Sequence, residues 1–206
     1  VLVVGPPGTA KSEAVRRISA VLGGTYFEYL IGKFTEPSEI FGPVDLRKLR
    51  EGVVETETRG MLPEADIAFL DEVFSGSTAI LNTLLGVLNE RVFRRGHTIV
   101  RCPLRVCVGA ANQLPSDDAL AAFADRFLIR VFVEPILDAR LEDLLEGGAR
   151  LGKLKAPKEG ADLSVIDALS DAAASADLTG VRAELAGAVR VLRGAGITLS
   201  DRRIVK

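Results

Sequence analysis

Apolar positions along the chain fall into two alternating rhythms. Short, mainly apolar runs, Val1 to Val4, Thr25 to Leu30, Ile67 to Leu70, Leu104 to Ala110 and Leu128 to Val133, read as strands. Between them apolar residues recur at helical spacing. Ala14, Val15, Ile18 and Leu22 form one face of a helix that starts at Lys11 and is ended by Gly23-Gly24, and Ile80, Leu81, Leu84, Leu85 and Leu88 form a ladder that reads as core. Strand and helix in alternation predict an α/β fold on a parallel sheet. Beyond Glu134-Pro135, where the proline ends the last strand, only helical periods follow, in Asp138 to Arg150, Leu163 to Ala174 and Val181 to Arg193. Asp45 to Gly60 is a long polar excursion, in which the alternation from Glu51 to Thr58 predicts a small exposed hairpin.

The first strand runs directly into Gly5-Pro6-Pro7-Gly8-Thr9-Ala10-Lys11-Ser12. A glycine-rich turn between a strand and a helix aims backbone N–H groups and the positive helix end at one anion. In that cradle Lys11 would neutralise β- and γ-phosphates, and the Ser12 hydroxyl would sit on Mg²⁺. Ala10 stands where the phosphate-loop pattern has its second glycine, at a cost of about 1 kcal/mol if that position needs positive φ. The competing reading is an ordinary Gly/Pro turn, against which Lys-Ser at the helix start counts.

Further along, the strand Ile67 to Leu70 delivers Asp71 and Glu72 to the C-terminal edge of the sheet, where open α/β folds bind their ligands. Asp71 would hold Mg²⁺ through water and Glu72 would polarise the attacking water, two roles that phosphoryl transfer requires. The strand from Leu104 ends at Asn112, either a turn residue or a neutral amide that senses the γ-phosphate. Arg126, just before the last strand, is either a surface charge or a finger reaching a neighbouring subunit.

Composition narrows the class. With 206 residues, 48% of them apolar, the chain allows one or two domains with a substantial core. The 26 basic and 28 acidic side chains leave a formal charge of −2, which gives no electrostatic case for nonspecific nucleic-acid binding. No apolar stretch approaches the roughly 18 residues of a membrane span, and the start is no signal peptide, so the chain reads as cytoplasmic. Cys102 and Cys107 are read as free, buried thiols on opposite faces of one strand, and His97 as a turn residue; no His/Cys metal site can be assembled. The cluster Arg91, Arg94, Arg95, Arg101 and Arg105 reads as solvated or paired between subunits, and only Phe93 interleaves with it to stack bases. A phosphate-binding strand at residue 1 leaves no room for the segment that usually shields adenine, so natural residues are expected upstream.

Taken in order, these motifs resemble those of the MoxR family of AAA+ ATPases, in its RavA-like branch. Gly5 to Ser12 resembles the family's Walker A, Phe69 to Glu72 its Walker B, Asn112 its sensor 1, Asp125-Arg126-Phe127 its arginine-finger segment and Ser200-Asp201-Arg202-Arg203 its sensor 2, with Arg202 the better match. Leu62 to Ala65 and Ile80 to Leu85 are similar to the same branch. The resemblance implies an αβα core over residues 1–134 with a parallel five-stranded sheet of order 5-1-4-3-2, and a small helical lid over 135–206, short of its C-terminal part. It implies ATP and Mg²⁺ as cofactors, with Gly5, Pro6, Pro7, Gly8, Thr9, Ala10, Lys11 and Ser12 on the nucleotide, Ser12 and Asp71 on the metal, and Glu72, Asn112, Arg126 and Arg202 in catalysis. It further implies a hexameric ring, chaperone-like remodelling of a protein client, and a partner with a von Willebrand factor A (VWA) domain. Asp45 to Gly60 would be the helix-2 insert and Arg91 to Arg101 the pre-sensor hairpin, both facing the pore. A nucleic-acid-dependent motor and a small-molecule P-loop kinase are the competing classes; Glu72, Asn112 and Arg126 count against the kinase.

Overall fold

The computed structural model describes residues 1–151, 163–197, 199–201 and 204. Its strands are β1 (Leu2–Val4), β2 (Tyr26–Leu30), β3 (Ile67–Asp71), β4 (Val92–Arg95), β5 (Thr98–Arg101), β6 (Val106–Ala111) and β7 (Arg130–Phe132). The helices are α1 (Lys11–Leu22), α2 (Pro37–Phe41), α3 (Leu46–Arg50), α4 (Thr78–Glu90), α5 (Asp118–Ala124), α6 (Leu141–Leu151), α7 (Ser164–Ala174) and α8 (Arg182–Gly194). Five strands pair in parallel in the order β2-β3-β6-β1-β7. Counted among themselves along the chain, these five run 5-1-4-3-2 across the sheet, the order expected of an AAA+ core. By compactness the chain divides into Val1–Ala161 and Asp162–Lys206, the second containing α7 and α8.

Alternation along the strands supplies a core to each face of the sheet. On one face Phe69, Val108 and Ala110 pack with Val15 of α1; on the other Leu2, Val4, Ala68 and Leu70 pack with Ile80, Leu84 and Val87 of α4 and with Phe123 and Phe127. The α4 ladder is core, as its spacing predicts. The buried line of α1 is Val15 and Ser19, whereas Ala14 and Ile18 of the predicted face are exposed. The cause lies at the helix start. Ser12 faces Asp71, and residues 15 and 19 follow Ser12 at i+3 and i+7, so the side presented to the sheet is fixed from its first turn.

The polar excursion does not form the predicted hairpin. It contains the single-turn helix α3, capped by the Asp45 carboxylate, which accepts from the Arg47 and Lys48 N–H groups at 2.8 and 3.3 Å. The alternating residues behind it pair with other segments instead. Val44 bridges Thr56, the Thr56 N–H donates to Thr98 Oγ1 at 2.7 Å, and the His97 N–H donates to the Val54 carbonyl at 3.0 Å. The Arg95 guanidinium reaches the Gly42 carbonyl at 3.2 Å, and Phe41 stacks on Phe93 with centroids 5.4 Å apart. Gly42 has φ +112°, and a Cβ there would lie 1.9 Å from the Glu57 carbonyl, so only glycine permits this approach. The antiparallel β4–β5 hairpin does form over the segment read as a pre-sensor hairpin, with His97 at its turn. It is latched to the excursion as one body.

The two cysteines do not share a strand. Cys102 follows β5 and Cys107 lies in β6, yet both are free and buried at 4% and 8% exposure in the same core cluster. Burial pushes the Cys102 thiol up and the Cys107 thiol up to about 11. No helix among the described residues is long and apolar enough to cross a membrane.

Thr98→Val removes the buried acceptor of the Thr56 N–H while keeping side-chain shape. It is expected to lower stability by about 1–3 kcal/mol, read from the midpoint of urea unfolding. An unchanged midpoint would show that this latch contributes nothing.

Candidate nucleotide site

β1 ends at Val4, and Gly5 carries the chain on between β6 and β7: its N–H donates to the Ala111 carbonyl at 3.1 Å. A Cβ on Gly5 would lie 2.2 Å from the Val133 carbonyl, so the loop can leave the sheet here only through glycine. Gly8 turns with φ +81° and Ala10 with φ 58° and ψ 26°, the left-handed conformation whose cost its methyl group raises. Thr9 Oγ1 donates to the Pro6 carbonyl at 2.9 Å and closes the loop from within. Lys11 folds back across it, and its ammonium donates to the Gly5 and Pro6 carbonyls at 2.7 and 2.9 Å.

α1 starts at Lys11 with no side chain capping it. Its first-turn N–H groups point out of a loop bent by two left-handed residues, which is the construction that receives a phosphate. Beside it, Ser12 Oγ and Asp71 Oδ2 face each other at 3.5 Å, the outer limit of a hydrogen bond. Two hard oxygen donors so placed fit Mg²⁺, which takes one or two protein oxygens and fills its octahedron with phosphate and water. No group of three or more His, Cys, Asp or Glu that could hold a metal occurs among the described residues.

Asp71 closes β3, and Glu72 turns away from it with φ 50° and ψ 44°, a conformation costing on the order of 1 kcal/mol for a residue with a side chain. The Glu72 N–H donates to Asp71 Oδ1 at 3.0 Å, and Asn112 Nδ2, one residue beyond β6, donates to Glu72 Oε1 at 2.6 Å. Adjacent parallel strands β3 and β6 therefore bring together the side chains that directly follow their last residues. A cavity of about 340 Å³ opens over this pair, with Ser75, Gln113 and Asp117 among its walls. These wall residues escape sequence reasoning. The usable signal is the polar run after Asn112, which reads only as a loop.

Arg126 is held apart from these groups. Its guanidinium donates to the Ala122 carbonyl, and it lines a second, more apolar cavity of about 300 Å³ with Leu81, Leu85 and Phe123. The two cavities share Phe74, Asp117 and Leu120 as walls. Thus the structure gathers Lys11, Ser12, Asp71, Glu72 and Asn112 at one edge of the sheet and sets Arg126 in a neighbouring hollow. Arg202, with Arg203, lies outside the described residues.

The sheet order, the phosphate-type loop and the Asp-Glu pair at the end of β3 define the chain as a P-loop protein of the AAA+ class. It belongs to the MoxR family of AAA+ ATPases: residues 1–171 match the family described as the MoxR domain in the MoxR-vWA-beta-propeller ternary systems. The chain is similar to two uncharacterized proteins of Methanocaldococcus jannaschii, 38% identical over 205 residues and 37% over 204, each match covering 98% of the chain. It spans about half the length of these relatives, 54% and 53%. It is also similar to a structural protein of Acidianus two-tailed virus, 36% identical over 141 residues, which is 64% of this chain and 22% of the viral protein. Among solved structures, a protein of Cytophaga hutchinsonii named as a candidate ATPase shares the fold with TM-score 0.57 and 18% identity, over 79% of this chain and 48% of its own.

Gly5→Ala is expected to force the loop off β7, lowering stability by about 1–3 kcal/mol as overpacking does, and to weaken ATP binding. Urea unfolding and titration with a fluorescent ATP analogue measure the two effects. Full stability with full affinity would contradict the close approach of Gly5 to Val133.

Proposed function

We propose that this chain binds ATP with Mg²⁺ and hydrolyses it at the interface between subunits of a hexameric ring, driving the remodelling of a protein client with a VWA-domain partner. The observation that carries the reading is the pairing of Asn112 with Glu72 beside Asp71 and Ser12, because hydrolysis needs an oriented base next to the phosphate-binding edge. Lys11 would exchange its two carbonyl partners for phosphate oxygens, and the first-turn N–H groups of α1 would take the remaining charge. Ser12 and Asp71 would hold Mg²⁺, which supplies charge neutralisation on the phosphates when bound. Glu72 would accept the proton of the attacking water, with Asn112 fixing the direction of its carboxylate.

Arg126 would serve the neighbouring subunit, since it lines a hollow apart from the Asp71–Glu72 edge of its own chain, and an arginine supplied in trans stabilises transition-state charge. The lid over residues 135–206 would bring Arg202 to the γ-phosphate and tie nucleotide state to lid position. The VWA partner is supported by the family description, which names vWA and β-propeller proteins alongside the MoxR domain. The ring, the client and the partner belong to the whole protein, of which this chain matches about half in its relatives.

Lys11→Ala is expected to abolish ATP binding, whereas Glu72→Gln keeps the affinity and slows turnover by a factor on the order of 10² or more. Isothermal titration and a phosphate-release assay distinguish them, and wild-type turnover in Glu72→Gln would place the base elsewhere.

Arg126→Ala should bind ATP nearly as wild type but lose a factor on the order of 10³ in hydrolysis. Mixing Arg126→Ala with Glu72→Gln should restore partial activity through interfaces that pair an intact Glu72 with an intact Arg126. Absence of recovery in rings shown to be mixed would refute action in trans.

A further inference from the structure

The end of the sheet opposite the nucleotide edge carries a polar cluster that the site above does not use. Thr25, Asp66 and Arg105 are the residues directly before β2, β3 and β6, three strands that lie side by side. Asp66 stands in the middle and holds both neighbours. Its Oδ2 accepts from the Thr25 N–H at 2.8 Å and from the Thr25 hydroxyl at 2.7 Å, and its Oδ1 accepts from the Arg105 guanidinium. The main chain repeats the pattern. The Asp66 N–H is shared between the Thr25 carbonyl at 2.9 Å and the Thr25 hydroxyl at 3.0 Å, and the Asp66 carbonyl accepts from the Arg105 and Val106 N–H groups at 2.8 and 3.3 Å. The Asp66 side chain is 17% exposed and that of Arg105 26%, so this charge-assisted contact is largely sheltered from water.

β3 has a particular need for such a fixed point, because its side chains carry little register information. Ile67, Ala68, Phe69 and Leu70 are all buried, Phe69 on the face covered by α1 and Ala68 and Leu70 on the face covered by α4. In a strand with one solvated face, a slip of one residue exposes the whole apolar set; a run buried on both faces has no polar side to misplace. The polar residue at its start supplies what the run lacks, since a shift of β3 against either neighbour breaks bonds to the Asp66 carboxylate. At about 3.3 Å of rise per residue, a register set at Asp66 is carried about 16 Å along β3 to Asp71. There it decides where Glu72 stands relative to Asn112, which directly follows β6. The phosphate loop is held separately, through Gly5 between Ala111 and Val133.

We propose that Asp66 is a positioning residue: by tying together the starts of β2, β3 and β6 it sets the register that brings the Glu72 carboxylate onto the Asn112 amide at the opposite end of the sheet. Its effect on turnover rests on the reading of Glu72 as the base. Its effect on the Glu72–Asn112 contact does not.

Asp66→Ala removes the side-chain bonds and leaves the main-chain ones, Thr25→Val removes the hydroxyl at an exposed position, and Thr25→Ser keeps it. All are compared at a temperature where thermal melting shows them folded. In the nucleotide-free protein, the Asn112 side-chain amide signal of a proton–nitrogen correlation spectrum, identified by its disappearance in Asn112→Asp, should move in Asp66→Ala and, less far, in Thr25→Val, and stay in place in Thr25→Ser. A loss of stability alone would leave that signal unmoved, since Asn112 stands at the far end of the strands. Phosphate release should slow about tenfold in Asp66→Ala, while affinity for a fluorescent ATP analogue, measured without Mg²⁺, stays within about twofold of wild type. An unmoved Asn112 signal in folded Asp66→Ala overturns the proposal, as does a parallel loss of turnover and affinity. A moved signal with undiminished turnover upholds the positioning and refutes Glu72 as the base. Should Asp66→Ala be unfolded at every temperature, Asp66→Asn, which keeps an oxygen for Thr25 but no charge for Arg105, carries the same comparison together with Thr25→Val.

Discussion

The hydrogen bond from the Gly5 N–H to the Ala111 carbonyl is the constraint on which the site depends. It extends the parallel ladder of β1 and β6 one residue beyond β1, at the point where the chain must leave the sheet. On the other side, the Val133 N–H donates to the Val4 carbonyl at 2.8 Å, and the Val133 carbonyl closes over the space where a Gly5 side chain would be. The phosphate loop therefore springs from a backbone position gripped by both neighbouring strands. Because Asn112 follows Ala111 directly and Asp71 ends the next strand, that grip also fixes the distances between cradle, carboxylates and amide.

A second consequence of close packing runs through Gly109. A Cβ there would meet the Phe127 ring at 3.0 Å, so the ring lies directly against β6. Phe127 contacts Phe123 edge to face at 5.8 Å, and Phe123 contacts Phe74 in the same manner at 6.2 Å. This aromatic chain joins the segment carrying Arg126 to the short turn after Glu72. α4 extends from there, begun by the Ser77 side chain and ended at Arg91 in a left-handed conformation, and leads into the β4–β5 hairpin. Core packing thus connects the carboxylate edge of the sheet to the arginine-bearing β4–β5 hairpin.

Much of this was legible in the residues, for reasons that differ from place to place. The central strands β1, β3 and β6 showed because strands buried on both faces are written as unbroken apolar runs. The cradle showed because its glycines and Lys-Ser follow such a run without a break. The Glu51–Thr58 segment misled because alternation records that one side of a chain is buried without saying what buries it; Thr56 and Thr58 alternate into the body of the protein, against residues more than thirty positions away in the case of Thr98. The face of α1 was read from hydrophobicity, whereas its rotation is set by Ser12 opposite Asp71, a polar demand that no apolar count contains. The Glu72–Asn112 bond spans forty positions and depends on strand order, which chain order alone does not display.

The two thiols have a practical consequence. A thiol reacts as its thiolate, and both Cys102 and Cys107 are buried with that form disfavoured. In the folded protein they are shielded from maleimide and iodoacetamide reagents. Single cysteines placed on the loop after Asn112, on α3 or beside Arg126 can therefore carry spin labels or fluorophores in the native background, and distances across the nucleotide edge become measurable without first disturbing the core to remove its own sulfur.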